Sequence, residues 1–124
     1  MPCENSWSEN GLYRKFTGNI QTGHILKSNF DLHRDDRFQS LRYVLNDFRE
    51  INTVLLDEEN VEDIAVVDAL RSSKNKGLKV ALVIANTSAQ VTLALAFAER
   101  MKGSHYQCKV FMTSRDAHAW VNTP

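Results

Sequence analysis

The sequence predicts an α/β fold built on a mostly parallel sheet, and three observations predict it. Residues 78–85, LKVALVIA, are apolar for six consecutive positions from Val80, the pattern of a central strand covered on both faces. Helical patterns flank that strand, with Val61, Ile64, Ala65, Val67 and Leu70 before it and the apolar run 90–102 after it. Strand and helix patterns then alternate along the chain, as in a sheet with helices packed on it.

A chain of 124 residues is about the length of one domain. Hydrophobic residues make up 43% and charged residues 24%, the balance of a globular protein rather than a disordered or membrane-embedded one. Basic and acidic residues number 15 each, so no net positive field favours nucleic acid or an anionic membrane. The longest apolar run is too short for a membrane-spanning helix. Cys3 and Cys108 fit no metal or redox spacing, and the first residues lack the pattern of a signal peptide, which predicts a cytoplasmic protein with reduced thiols.

Taken in order, residues 1–6 and 122–124 carry no periodic pattern. Both ends are expected to be loose and the domain to span 7–121. Residues 11–17 read as a first strand at a sheet edge, ended by a turn at Gly18-Asn19. Thr22 is the expected cap of a helix whose stripe is Ile25, Leu26, Phe30 and Leu32. Residues 41–48, LRYVLNDF, suit a pleated buried surface and place Asp47 near the end of a second strand. Glu58, Glu59, Glu62 and Asp63 then crowd the start of a helix, where carboxylates complement the positive end of its dipole. Basic residues and Gly77 close that helix ahead of the 78–85 strand. Gly103 ends the helix 90–102, residues 107–112 form a fourth strand, and Ser114 caps a last helix buried through Ala117, Trp120 and Val121.

Ligands of an open α/β sheet gather at the C-terminal ends of its parallel strands. Two such ends are predicted, one carrying Asp47, Asn52 and Thr53, the other Asn86, Thr87 and Ser88. Free N–H groups at the second end suit an anion, but no Gly-rich loop or basic residue accompanies them. Capping of the helix by Thr87 or Ser88 is the favoured reading. Asp47 has no second group placed for acid–base chemistry and reads as a cap for the next turn. The acidic set 57–63 lacks the glycine and ligand spacing of a calcium loop. His24, His33, His105 and His118 lack zinc spacing. The expectation is a protein without catalytic residues, metal or cofactor.

The helix 90–102 is the most unusual stretch. Val91, Leu95 and Ala98 on one side and Leu93, Ala96 and Phe97 on the other are all apolar, so more than one side must be covered. The sheet covers one side. A neighbouring helix, a second subunit or an apolar ligand covers the other, which makes Val91, Leu93, Leu95 and Phe97 the expected oligomer or apolar-ligand surface.

Several stretches together resemble the small bacterial SpoIIAA-like proteins of the STAS superfamily: Gly11-Leu12-Tyr13 with Phe16-Thr17-Gly18, ILKSNFDLHRDDRF at 25–38, LRYVLNDF at 41–48, LKVALVIAN at 78–86, and SRDAHAWV at 114–121. The resemblance covers roughly residues 7–121. It implies one SpoIIAA-like domain with a four- to five-stranded, mostly parallel sheet and helices packed mainly on one side, similar to anti-sigma factor antagonists and distantly like CRAL-TRIO lipid-binding domains. In the phospho-regulated antagonists a strand ends in Asp, and a later Asp-Ser-Ser or Asp-Thr carries the phosphorylated hydroxyl. Asp47 matches the first feature. The second departs, because Asn52 stands where an Asp is wanted and Thr53 is the only hydroxyl of that loop.

The expected function is therefore a non-enzymatic STAS-like regulatory or protein-interaction module, partnered by another protein or by itself as a homodimer. The alternatives are binding of a small apolar or lipid ligand, and a phospho-acceptor switch at Thr53 or Ser88.

Overall fold

The computed structural model describes residues 3–54 and 56–124. A five-stranded sheet is built from β1 (Cys3–Trp7), β2 (Gly11–Ile20), β3 (Tyr43–Val54), β4 (Lys79–Val83) and β5 (Gln107–Phe111). The strands lie side by side in chain order, with β1 antiparallel to β2 and every other pair parallel. The connecting helices are α1 (Thr22–Arg34), α2 (Glu58–Arg71) and α3 (Ser88–Arg100), and α4 (Ser114–Val121) follows β5. Among the described residues no helix is long and apolar enough to cross a membrane.

Strand parity decides which residues meet which layer. Leu12, Val44, Val80, Leu82 and Ile84 pack with Leu32 of α1, Ala65 of α2 and Ala94 of α3. Their neighbours Leu45, Ala81 and Val83 point the other way, onto Ala117 and Val121 of α4. Three helices thus cover one face and a single short helix part of the other. The predicted six-residue apolar run of β4 is explained by this two-sided burial, since every residue of the strand is buried.

Several boundaries differ from the sequence expectation. Cys3–Trp7 is not loose but forms the edge strand β1, paired with β2 from Cys3↔Phe16 to Trp7↔Leu12. That pairing removes β2 from the edge. Gly18-Asn19 does not end β2; the strand absorbs both residues, with Gly18 at φ +78° and a register shift beside it. β3 starts at Tyr43 and runs on to Val54, because the long β2 pairs with it as far as Ile20↔Val54. Asp47 consequently sits inside β3 rather than near its end, opposite Val83, the last residue of β4.

The caps follow side-chain chemistry. Asp57 opens α2 by accepting from the Asn60 N–H at 2.9 Å, while the Asn60 Oδ1 accepts from the Asp57 N–H at 3.1 Å. Thr87 caps α3 through Gln90. Thr113, not Ser114, caps α4 through Asp116, and Gln21 rather than Thr22 precedes α1, its N–H donating to His24 Nδ1. At the C-terminus, Lys79 Nζ donates to the Trp120 and Thr123 carbonyls at 3.1 and 2.8 Å, tying the chain end to the sheet.

Candidate functional site

Between the sheet and the three-helix layer lies a cavity of about 120 Å³. One part of its wall is apolar, with Ile64 of α2, Leu93 and Phe97 of α3 and Ile20 of β2. The other part is a buried polar network that begins on the sheet. Arg14 of β2 has the same strand parity as Leu12 and Phe16, so it points into the core instead of to solvent. Its Nε donates to Asn46 Oδ1 at 2.7 Å, one terminal nitrogen to Ser28 Oγ at 2.8 Å and the other to Asn29 Oδ1 at 2.8 Å. Asn29 passes the chain on to α2, its Nδ2 lying 3.1 and 3.2 Å from the two Asp68 oxygens.

Such a network satisfies a buried cation with neutral side chains and holds its counter-charge one residue further away. Burial pushes the Asp68 carboxyl up to about 7, against the opposing pull of the Arg14 charge and the Asn29 hydrogen bond. At neutral pH the group is poised between acid and carboxylate. His33 Nε2 lies 3.2 Å from the Tyr106 hydroxyl. Burial, followed by the charges of Arg14, Arg71 and Lys74, lowers His33 to about 4, so its ring is neutral. Burial also raises the Tyr106 phenol, and it raises the Cys108 thiol to about 12, which makes that thiol a poor nucleophile.

The residues singled out from sequence separate into different places. Asp47 is buried on the α4 face, away from the cavity. Arg49, two residues along the strand, donates to it through Nε at 3.0 Å and a terminal nitrogen at 2.8 Å, and the Tyr13 hydroxyl donates to it from β2. Asn52 is exposed on β3, and the side chain of Thr53 lies outside the described residues. Asn86, Thr87 and Ser88 are exposed at the start of α3, where Thr87 serves as the cap. Of the apolar set, Val91 and Phe97 pack against the core, Leu93 and Phe97 line the cavity, and Leu95 faces outward at 55% exposure.

Arg14, Asn29, Asn46 and Asp68 were not singled out from sequence. The signal was present in the strands: Arg14 alternates with Leu12 and Phe16, and Asn46 with Val44 and Phe48, so both belong to the faces that must be buried.

No family model and no curated protein matches the chain. Solved structures do. An uncharacterized protein of the DUF3478 family with a SpoIIAA-like fold, from Shewanella loihica PV-4, aligns over 96% of this chain and 91% of its own at 15% identity and a TM-score of 0.56. The anti-sigma factor antagonist SpoIIAA in its unphosphorylated form aligns over 96% of this chain and 95% of its own, at 12% identity and a TM-score of 0.57. The fold is SpoIIAA-like.

At these identities the likeness concerns the fold. In this chain the carboxylate of Asp57 opens α2. Among the described residues no group of His, Cys, Asp or Glu is arranged to hold a metal ion.

Proposed function

We propose that the chain is a non-enzymatic STAS-like module that works through protein contact, pairing with a second copy along α2. The observation that carries this reading is the outward stripe of that helix. Val66 and Leu70 lie four residues apart, on one side of the helix, with 54% and 75% of their surface exposed. Exposed Glu59, Glu62 and Asp63 precede them, and exposed Arg71 and Lys74 follow. Two copies of such a stripe, laid antiparallel about a two-fold axis, bring Val66 of each copy against Leu70 of the other. The acidic end of each helix then meets the basic end of its partner. A two-fold contact requires this kind of self-complementarity, and the balanced net charge adds no repulsion between copies. Leu95 of α3 is likewise exposed.

Light scattering at micromolar concentration tests the pairing. The expected result is a dimer that Leu70→Glu converts to a folded monomer; a wild-type monomer would refute it.

The cavity favours a second reading, binding of a small apolar molecule. Leu93 and Phe97, the apolar residues that sequence left without a certain cover, line it. A purely apolar cavity of about 150 Å³ accepts a benzene ring. The space here is of that order, which suits a single ring better than a long acyl chain. Retention of a ring-sized probe in nuclear magnetic resonance titration supports this reading, and absence of any such binding removes it.

A further inference from the structure

The geometry points to the cavity between the sheet and α1–α3 as a site for a ring-sized molecule carrying one hydroxyl, a phenol-class ligand, with the hydroxyl at the Asn46–Asp68 end. This rests on the ligand reading above and specifies the chemistry of the head group.

Asn46 supplies the decisive observation. It lines the cavity and is 4% exposed. Its Oδ1 accepts from Arg14 Nε, and a guanidinium has donors only. The amide orientation is thereby fixed, with Nδ2 turned away from Arg14. No described residue accepts from that Nδ2. Every fully enclosed side-chain nitrogen or oxygen among the described residues has a partner, so this amide is not fully enclosed and reaches open space. A buried amide donor facing a cavity calls for an acceptor.

Asp68 supplies the complementary group. Among the described residues its two oxygens receive hydrogen bonds from Asn29 Nδ2 alone, which leaves acceptor capacity on a carboxyl group that also lines the cavity. Asn46 and Asp68 belong to one hydrogen-bonded network through Arg14 and Asn29, and the smallest head that accepts from the first and donates toward the second is a hydroxyl. A carboxylate head satisfies Asn46 but offers Asp68 no donor, and a bare hydrocarbon leaves Asn46 unanswered. The remaining wall, with Ile20, Ile64, Leu93 and Phe97, suits an aromatic or compact aliphatic body. Ile51, Leu56, Leu93 and Phe97 line the cavity and are only partly buried, which gives a ligand its side of entry.

Titration of the full isotope-labelled chain with phenol, toluene and benzoate, followed by amide and Asn side-chain resonances, tests the assignment. Phenol is expected to shift the Asn46 side-chain amide together with the Leu93 and Phe97 backbone amides, and to bind about five- to tenfold tighter than toluene, the margin of one net hydrogen bond. Equal binding of phenol and toluene overturns the hydroxyl assignment while leaving the apolar cavity as a binding site. Tightest binding of benzoate overturns it in favour of an anionic head answering to Arg14. Absence of binding by all three overturns the ligand reading itself. Asn46→Leu is expected to reduce phenol to the level of toluene; should that variant fail to fold, the three-probe comparison on the wild-type chain decides alone.

Discussion

Arg49 and Asp47 stand two residues apart on β3, and the guanidinium of the first closes a two-point grip on the carboxylate of the second at 2.8 and 3.0 Å. Tyr13 completes the arrangement from the neighbouring strand. The carboxylate is buried while the guanidinium stays partly in solvent, so the cluster clasps β2 to β3 on the face that α4 partly covers.

Breaking this clasp is expected to cost stability. Arg49→Ala leaves a buried carboxylate short of its charged donor, and the expected loss is about 1–3 kcal/mol in urea unfolding at neutral pH. Burial by itself raises the Asp47 carboxyl, but the hydrogen bonds from Arg49 and Tyr13 outweigh it and hold the group below its ordinary value of 3.8. A carboxyl lowered on folding stabilises above its unfolded pKa and loses that contribution as pH falls through the folded one. The wild type should therefore lose stability below about pH 4 more steeply than Arg49→Ala.

Tyr13 predicts the opposite limb. Burial, then its hydrogen bond to Asp47, raises the phenol from 10.0 to about 12. The folded chain keeps a proton that the unfolded chain has released, so this contribution is complete below pH 10 and declines as pH approaches 12. Tyr13→Phe should flatten that alkaline decline; an unchanged slope would remove Tyr13 from the account.

Asp68 acts in the middle of the range. Its folded pKa of about 7 exceeds the ordinary 3.8, so folding favours the protonated acid, and its contribution fades as pH rises from about 4 through about 7. Arg14 is the charge that draws it toward ionisation, while Tyr106 and Cys108 are raised in turn by its presence. Asp68→Asn keeps an acceptor for Asn29 and abolishes the titration. Chemical unfolding at pH 5 and pH 8 should show a wild-type difference on the order of a few kcal/mol that the variant lacks.

Gly11 is required by a neighbour rather than by its own backbone. A Cβ built there falls 2.0 Å from Tyr43 Cζ, because Gly11 and Tyr43 are register partners on adjacent strands. Gly11→Ala should destabilise by about 1–3 kcal/mol through overpacking. In a Tyr43→Ala background the same change should cost much less, a coupling that a double-mutant cycle reads directly.

These particulars also show what was legible in the residues. β4 was plain because both its faces are buried, and α2 because the carboxylates crowding its start and its apolar spacing agree. β1 was not, since an edge strand reading Cys-Glu-Asn-Ser-Trp has no buried face to impose a pattern. The extension of β3 was hidden for the same reason: Arg49, Glu50 and Asn52 are exposed, and only pairing with β2 keeps them in the strand. The cavity was half visible. The surplus of apolar residues on α3 marked Leu93 and Phe97, whereas Arg14 and Asp68 stand 54 residues apart in the chain and join one network only where the strand and helix faces meet.

The pairing of two copies along α2 is tested most directly by exchanging its charges. Glu62 also pairs with Arg100 of its own chain at 3.6 Å, so sedimentation equilibrium on Glu62→Lys, on Lys74→Glu and on the double variant is done in an Arg100→Gln background, where it isolates the proposed contact of the acidic end of one antiparallel helix with the basic end of the other. Each single change is expected to weaken dimerisation and the double change to restore it to within about threefold of wild type, the scale of one exposed ion pair. Single variants that dimerise as well as the wild type, or a double variant no better than the singles, would contradict the account.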